Sequence, residues 1–250
     1  KHYQDANKLI EEFMLLDTNK VSEYVTRKVE QAKTYIYRIH DTPDPEKLSD
    51  FSMFISKFGY STNFANPKSI SNNMNNLLSE IQGSNEENMI ETLAIRTMAK
   101  AEYSTNNIGH YGLGFTYYSH FTSPIRRYPD VIAHRLLYKY LNNDFTVNHQ
   151  DIEELSKHCS AQERLATEAE RDSIKLFQVK YLEDRVGETF PGVVSGVSDF
   201  GMFVELEESL CEGLVRLRSI QDDYYSYDDE NYRIIGQRTG KTYQLGDKIK

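Results

Sequence analysis

The stretch His120-Phe121-Thr122-Ser123-Pro124-Ile125-Arg126-Arg127-Tyr128-Pro129-Asp130 places two adjacent arginines between two prolines. Proline fixes its own φ and pushes the residue before it out of the α region, so Ser123 and Tyr128 are expected to be extended. A helix is expected to open at Pro129, which puts the arginines beside its positive end. A cation there is unfavourable unless an anion is shared. Two readings follow. Arg126 and Arg127 grip a phosphate, for which the guanidinium fork is well shaped, or they pair with local carboxylates on a proline turn.

Working outward, an apolar repeat near 3.6 residues predicts helices over 5–33, 45–58, 69–81 and 129–141, and one of about 35 residues starting at Asn148. Ser84 and Glu87 have capping-box spacing for a helix over 84–103. The inner stripe of the long helix is read as Ile152, Leu155, Cys159, Ala166, Ala169, Ser173 and Phe177. Alternation of Gly112, Gly114 and Thr116 with Leu113, Phe115 and Tyr117 predicts a strand over 111–118, its small residues admitting a close neighbour. Asp41 and Asp44 flank prolines and read as turn residues. After about residue 185 short alternating runs broken by glycine predict strands over 188–195, 200–206 and 212–217, with a fourth starting near Lys248.

The 250 residues carry a net charge of −9. That balance opposes wholesale affinity for nucleic acid, so any nucleic-acid site is expected to be a local basic patch. Cys159 and Cys211 are the only cysteines and form no CxxC, which fits a reducing cytoplasm and argues against a disulfide or metal framework. There is no apolar run of the ~18 residues a membrane span needs. Both ends fall inside periodic patterns, so a piece of a longer protein is expected.

The segments "HYGLGFTYYSHFTSPIRRYPDVIAHRLL" (110–137), "LIEEFMLLDTNKVSEYV" (9–25), "YRIHDTPDPEKL" (37–48) and "CSAQERLATEAERDS" (159–173) closely resemble the RNase II/RNase R family of processive 3′-to-5′ exoribonucleases. Gly192-Val193-Val194, Phe200-Gly201-Met202-Phe203-Val204 and Glu212-Gly213-Leu214-Val215 look like an OB-type RNA-binding barrel of the ribosomal kind. The resemblance implies an α+β fold: residues 1–185 as the mostly helical C-terminal part of an RNB catalytic domain, and 186–250 as a truncated five-stranded OB-type β-barrel. It implies a hydrolase that degrades single-stranded RNA, using Mg²⁺ held by aspartates upstream of this sequence, so that the chain alone is expected to be inactive. It gives Arg126 the phosphate near the scissile bond, Arg127 the backbone or a bracing role, Glu170 a place near the RNA 3′ end, and Glu11 or Glu12 a ribose. On physics alone, Glu170 is a solvated acid on a charged helix.

Phe200 is read as an exposed base-stacking platform and Phe203 as barrel core. His134 is read as a core or hydrogen-bonding histidine rather than a general base, and Asp222, Asp223, Asp228 and Asp229 as solvated charge in a tyrosine-rich insertion. The expected partner is single-stranded RNA, with no membrane, no DNA and a monomeric state. The alternative is a noncatalytic RNA-binding protein derived from the same family.

Overall fold

A computed structural model describes residues 5–29, 34–64, 69–84 and 87–250. The chain divides into two compact units, Lys1–Pro43 with Ala99–Glu168, and Asp44–Met98 with Ala169–Lys250.

The first unit holds helix α1 (Asp5–Lys28), strands β1 (Tyr37–Ile39) and β2 (Glu102–Ser104), helix α5 (Tyr128–Leu141) and the start of helix α6 (His149–Glu183). The helical repeat over 5–33 holds as far as Lys28, and 30–33 lie outside the described residues. β1 and β2 pair antiparallel, Tyr37 facing Ser104 and Ile39 facing Glu102. Val25, Ile36, Ile39, Tyr103, Ile132, Leu136 and Cys159 form the core around this ribbon. Burying such side chains stabilises by about 1.5–3 kcal/mol each. Polar staples fix α6 to it. The Ser160 hydroxyl accepts from the Tyr103 N–H at 2.8 Å, and the Glu153 carboxylate accepts from the Thr105 N–H at 2.7 Å and from the Thr105 hydroxyl at 2.7 Å.

The strand expected over 111–118 does not form. Tyr111–Leu113 is a 3₁₀ turn, closed by Gly114 at φ 69° and capped by the His110 ring, which accepts from the Leu113 N–H at 3.3 Å. The alternation that imitates a strand comes from local needs. Gly114 supplies a left-handed residue, and Gly112 admits His40, whose Nδ1 would lie 2.8 Å from an added Cβ.

In the second unit, Asp44 caps α2 (Pro45–Ser56) by accepting from the Glu46 N–H at 2.9 Å, so its role is more specific than that of a turn residue. Helices α3 (Ile70–Glu80) and α4 (Glu87–Thr97) follow. The capping box at Ser84 is not made. The Glu87 carboxylate reaches back to the Gly83 N–H at 2.7 Å, and the Ser84 hydroxyl has no partner among the described residues. The helix stops at Thr97, because 102–104 is claimed by the ribbon of the first unit. In α6, Ser156, Cys159 and Ser160 are buried, whereas Ala166, Ala169, Ser173 and Phe177 are exposed, so the expected inner stripe covers only the helix's first three turns.

The closed barrel gives way to two separate sheets. Strands β3 (Gly192–Ser198), β4 (Gly201–Leu206), β5 (Glu212–Arg216) and β9 (Lys248–Ile249) form one in the order β5-β4-β3-β9. Strands β6 (Tyr225–Asp228), β7 (Arg233–Gly236) and β8 (Thr242–Gln244) form the other. Val194, Met202, Val204 and Ile234 make the core they share. The tyrosine-rich segment thus supplies an edge strand, and its acids are structural rather than merely solvated. Asp223 accepts from the Thr239 hydroxyl and N–H, both at 2.6 Å, and from the Arg238 N–H at 3.0 Å. Those bonds, the Thr239 hydroxyl first, pull its carboxyl down to about 2. Asp228 accepts from the Asn231 side chain at 2.7 Å and from Arg233 Nε at 2.9 Å.

Candidate nucleic-acid interface

The proline-flanked arginines sit on a turn that is anchored at both ends. The Arg126 and Arg127 N–H groups donate to the Ser123 carbonyl at 3.3 and 3.1 Å. Arg127, not Tyr128, is the extended residue before the helix, at φ −128° and ψ 119°. Tyr128 is already helical, with Pro129 in the first turn, where a missing N–H costs nothing. Asp130, in that same turn, is fully buried, and its Oδ1 accepts from the Ser123 N–H at 2.7 Å and from Arg127 Nη2 at 2.9 Å. At the loop's entrance His134 Nε2 lies 2.8 Å from the Phe121 carbonyl, and its ring stacks on Phe121 at 3.8 Å. His134 is therefore a hydrogen-bonding residue on the exposed side of α5, not a core one.

This geometry divides the two readings of the arginines between them. Arg127 takes the local carboxylate. The Asp130 charge offsets a cation at the positive helix end, and Asp130 Oδ2 and Arg127 Nε are left buried with no partner among the described residues. Arg126 is exposed and makes no side-chain hydrogen bond or ion pair among the described residues. Its guanidinium stays available to an outside anion.

The neighbouring cations are paired with acids. Arg38 lies 4.6 Å over the Tyr103 ring and donates to Glu163 at 2.6 Å, and the Tyr103 hydroxyl meets His120 Nδ1 at 2.8 Å. Burial, reinforced by Arg127 and Arg38, pushes His120 down to about 3. Burial and the neighbouring His40 push His110 down to about 4. Both rings are thus neutral near pH 7, and of Arg38, Arg126 and Arg127 only Arg126 has no acid partner among the described residues. Sequence reasoning missed Arg38 and His120. The signal was present, since Arg38 lies in one family-like segment and His120 in another, but nothing in one dimension brings them together.

Glu11 and Glu12 are both exposed on α1, which is tied to the signature segment by the Asn19 side chain donating to the Tyr117 carbonyl at 2.7 Å. Glu170 and Phe200 belong to the second unit. Glu170 is exposed on α6. Phe200 is 73% exposed at the β3–β4 turn, where Gly201 is required because a Cβ would collide with the Val215 carbonyl. Phe203 is 37% exposed, on the opposite face of β4 from Met202 and Val204, so it is not core. The expected core role fails because strand alternation puts 203 on the outer face.

Among the described residues no three His, Cys, Asp or Glu side chains are grouped so as to hold a metal ion. The described residues therefore do not supply a ligand set for the Mg²⁺ that the resemblance implies. No described helix is long and apolar enough to cross a membrane.

One unit thus carries an exposed arginine on an anchored turn and the other a two-sheet β module, and comparison with known families gives the class of protein. Residues 1–143 match the RNB domain and 183–250 the S1 RNA binding domain. The chain belongs to the RNB domain family, and its relatives are ribonucleases R. It is 41% identical over 252 residues to Ribonuclease R of Aquifex aeolicus, which covers 98% of this chain and 35% of that protein. A solved Mycoplasma genitalium RNase R in complex with ribose methylated single-stranded RNA superposes with a TM-score of 0.86 at 28% identity, covering 100% of this chain and 39% of that one. Yeast Ssd1, a pseudonuclease, shares the fold with a TM-score of 0.70 at 23% identity, over 91% of this chain and 29% of its own. The chain thus spans about a third of the length of these relatives.

Proposed function

We propose that this chain is the phosphate- and ribose-contacting part of a processive 3′-to-5′ exoribonuclease that degrades single-stranded RNA to nucleoside 5′-monophosphates in the cytoplasm, as a monomer. A metal pair such as Mg²⁺, when bound by carboxylates outside this sequence, would activate water and stabilise the leaving oxygen. The chain's own residues bind and position. Arg126 grips the phosphate near the scissile bond, and Arg127, held by Asp130, braces the turn that presents it. Glu170 contacts the RNA 3′ end. Glu11 or Glu12 accepts from a ribose 2′-hydroxyl, which discriminates against DNA. Phe200 stacks on a base of the incoming strand.

The observation that carries this reading is the split between the arginines: one is committed to a buried acid, the other is exposed on an anchored turn with no acid partner among the described residues. The test is magnesium-dependent release of nucleoside 5′-monophosphates from single-stranded RNA by the complete protein. Release from RNA but not DNA is expected, and Arg126→Ala should lower kcat/KM by about tenfold or more, the weight of a charge-assisted contact. Unchanged turnover would remove Arg126 from the site. RNA binding without any release would select the noncatalytic RNA-binding alternative.

A further inference from the structure

The second unit contains a cavity of about 340 Å³, remote in sequence from the signature turn and formed where α2 and α4 meet the turn between β6 and β7. That volume falls in the range of small-molecule sites, ~300–1,000 Å³. Its inner wall is apolar, with Phe51 and Phe54 buried, and the Tyr232 ring stands edge-on to Phe54 at 5.1 Å and 87°. Its lining also carries three charged side chains. Lys47 and Asp50 are one turn apart on α2, and Arg96 comes from the last turn of α4. All three residues are exposed, and none forms an ion pair among the described residues.

The wall is also built to stay in place. Tyr232 is a non-glycine residue at φ 49° and ψ 46°, a conformation that persists only where its surroundings enforce it. Asp228 does so from one side by holding Asn231 and Arg233, and the Lys57 ammonium does so from the residue that follows α2, by donating to Asn231 Oδ1 at 2.9 Å. Aromatic walls with two unpaired cations call for a ligand that joins a flat apolar ring to an anion. The unpaired Asp50 carboxylate, which can only accept, calls for hydroxyl or amino donors on that same ligand.

We propose that this cavity binds a nucleotide 5′-phosphate, with the base against Phe54 and Tyr232, the phosphate on Lys47 and Arg96, and a sugar hydroxyl or base amine donating to Asp50. The ligand is either a free nucleoside 5′-monophosphate or the 5′-phosphorylated end of an RNA strand. The site shares no residue with the Arg126 turn, so its test is binding rather than turnover.

The full chain should be titrated calorimetrically with AMP, with adenosine, and with a 5′-phosphorylated adenosine pentanucleotide, alongside a Lys47→Ala/Arg96→Ala double variant. Saturable binding of AMP or of the pentanucleotide is expected, with adenosine weaker by about tenfold, the weight of one charge-assisted contact. The double variant should lose at least that factor for whichever ligand binds, and that ligand names the source. Because both substituted residues are exposed, an unchanged circular dichroism spectrum is expected. Asp50→Asn, which cannot disturb the core, serves as a second probe and should weaken the same ligand. Equal affinity for adenosine and AMP, undiminished binding in the variants, or no saturable binding of either phosphorylated ligand would overturn the proposal. None of these results bears on Arg126 or on RNA hydrolysis.

Discussion

Arg127 donates to the fully buried Asp130 across 2.9 Å, and the same carboxylate oxygen holds the Ser123 N–H at 2.7 Å. One acid therefore neutralises a cation at the helix start and closes the turn on which the neighbouring Arg126 is carried. The position of Arg126 is set by a residue four places further on, inside the protein.

Removing that acid should be costly. Asp130→Ala leaves the Arg127 charge half-buried without its partner and the Ser123 N–H without its acceptor. A loss of about 3–5 kcal/mol is expected, the usual result of breaking a buried pair. Urea denaturation of the chain measures it. A loss below about 1 kcal/mol would mean that the pair does not organise the turn.

Arg126→Ala should leave stability within about 0.5 kcal/mol of the parent, as for an exposed residue without structural partners. RNA affinity should fall while the salt dependence of binding becomes shallower by about one phosphate contact. Arg126→Lys should recover charge but not the bidentate grip, so partial rescue is expected. Fluorescence anisotropy at several salt concentrations separates these outcomes.

His120 and His110 are held neutral by burial, with folded values near 3 and 4 against an ordinary value of 6.5. The unfolded chain takes up these protons first, so their contribution to stability is fully present above pH 6.5. It is lost progressively as the pH falls toward 4 and then 3. The denaturation midpoint should therefore drop below pH 6.5, and His120→Gln should flatten that drop. A midpoint independent of pH between 6.5 and 4 would contradict the burial argument.

Gly112→Ala tests the close approach of His40. The added methyl would sit 2.8 Å from His40 Nδ1, which also accepts the residue's own N–H at 3.1 Å. Overpacking of this kind costs about 1–3 kcal/mol. A thermal melt reads it, and an unchanged Tm would mean that the His40 ring moves aside freely.

Asp223→Ala should loosen the turn over 237–241 without unfolding the shared core, because the carboxylate holds Arg238 and Thr239 while Ile234 stays packed elsewhere. Faster hydrogen exchange confined to this turn is expected. Protection identical to the parent would show that the sheet does not depend on this clamp.

Most helices were legible because their apolar repeat is a property of neighbours in the chain. The long helix of 35 residues and the strands β3 to β5 fall close to where periodicity put them. The failures share a cause. Gly112 and Gly114 look like a strand's small face, yet their spacing answers to His40 and to a left-handed turn. The acids of 222–229 look solvated, yet they have partners as far as 19 residues away along the chain. Phe203 looks like core by composition, and only the pairing of β4 with β3 and β5 assigns its face.

By itself, the amino-acid order determined the helices, the short strands and the placement of two arginines between prolines, since these depend on local sterics and period. The tertiary structure alone decided which arginine is spent on Asp130 and which is left exposed. Asp130 is buried and, among the described residues, Arg127 is the cation it pairs with, because only the folded turn brings that guanidinium to its Oδ1.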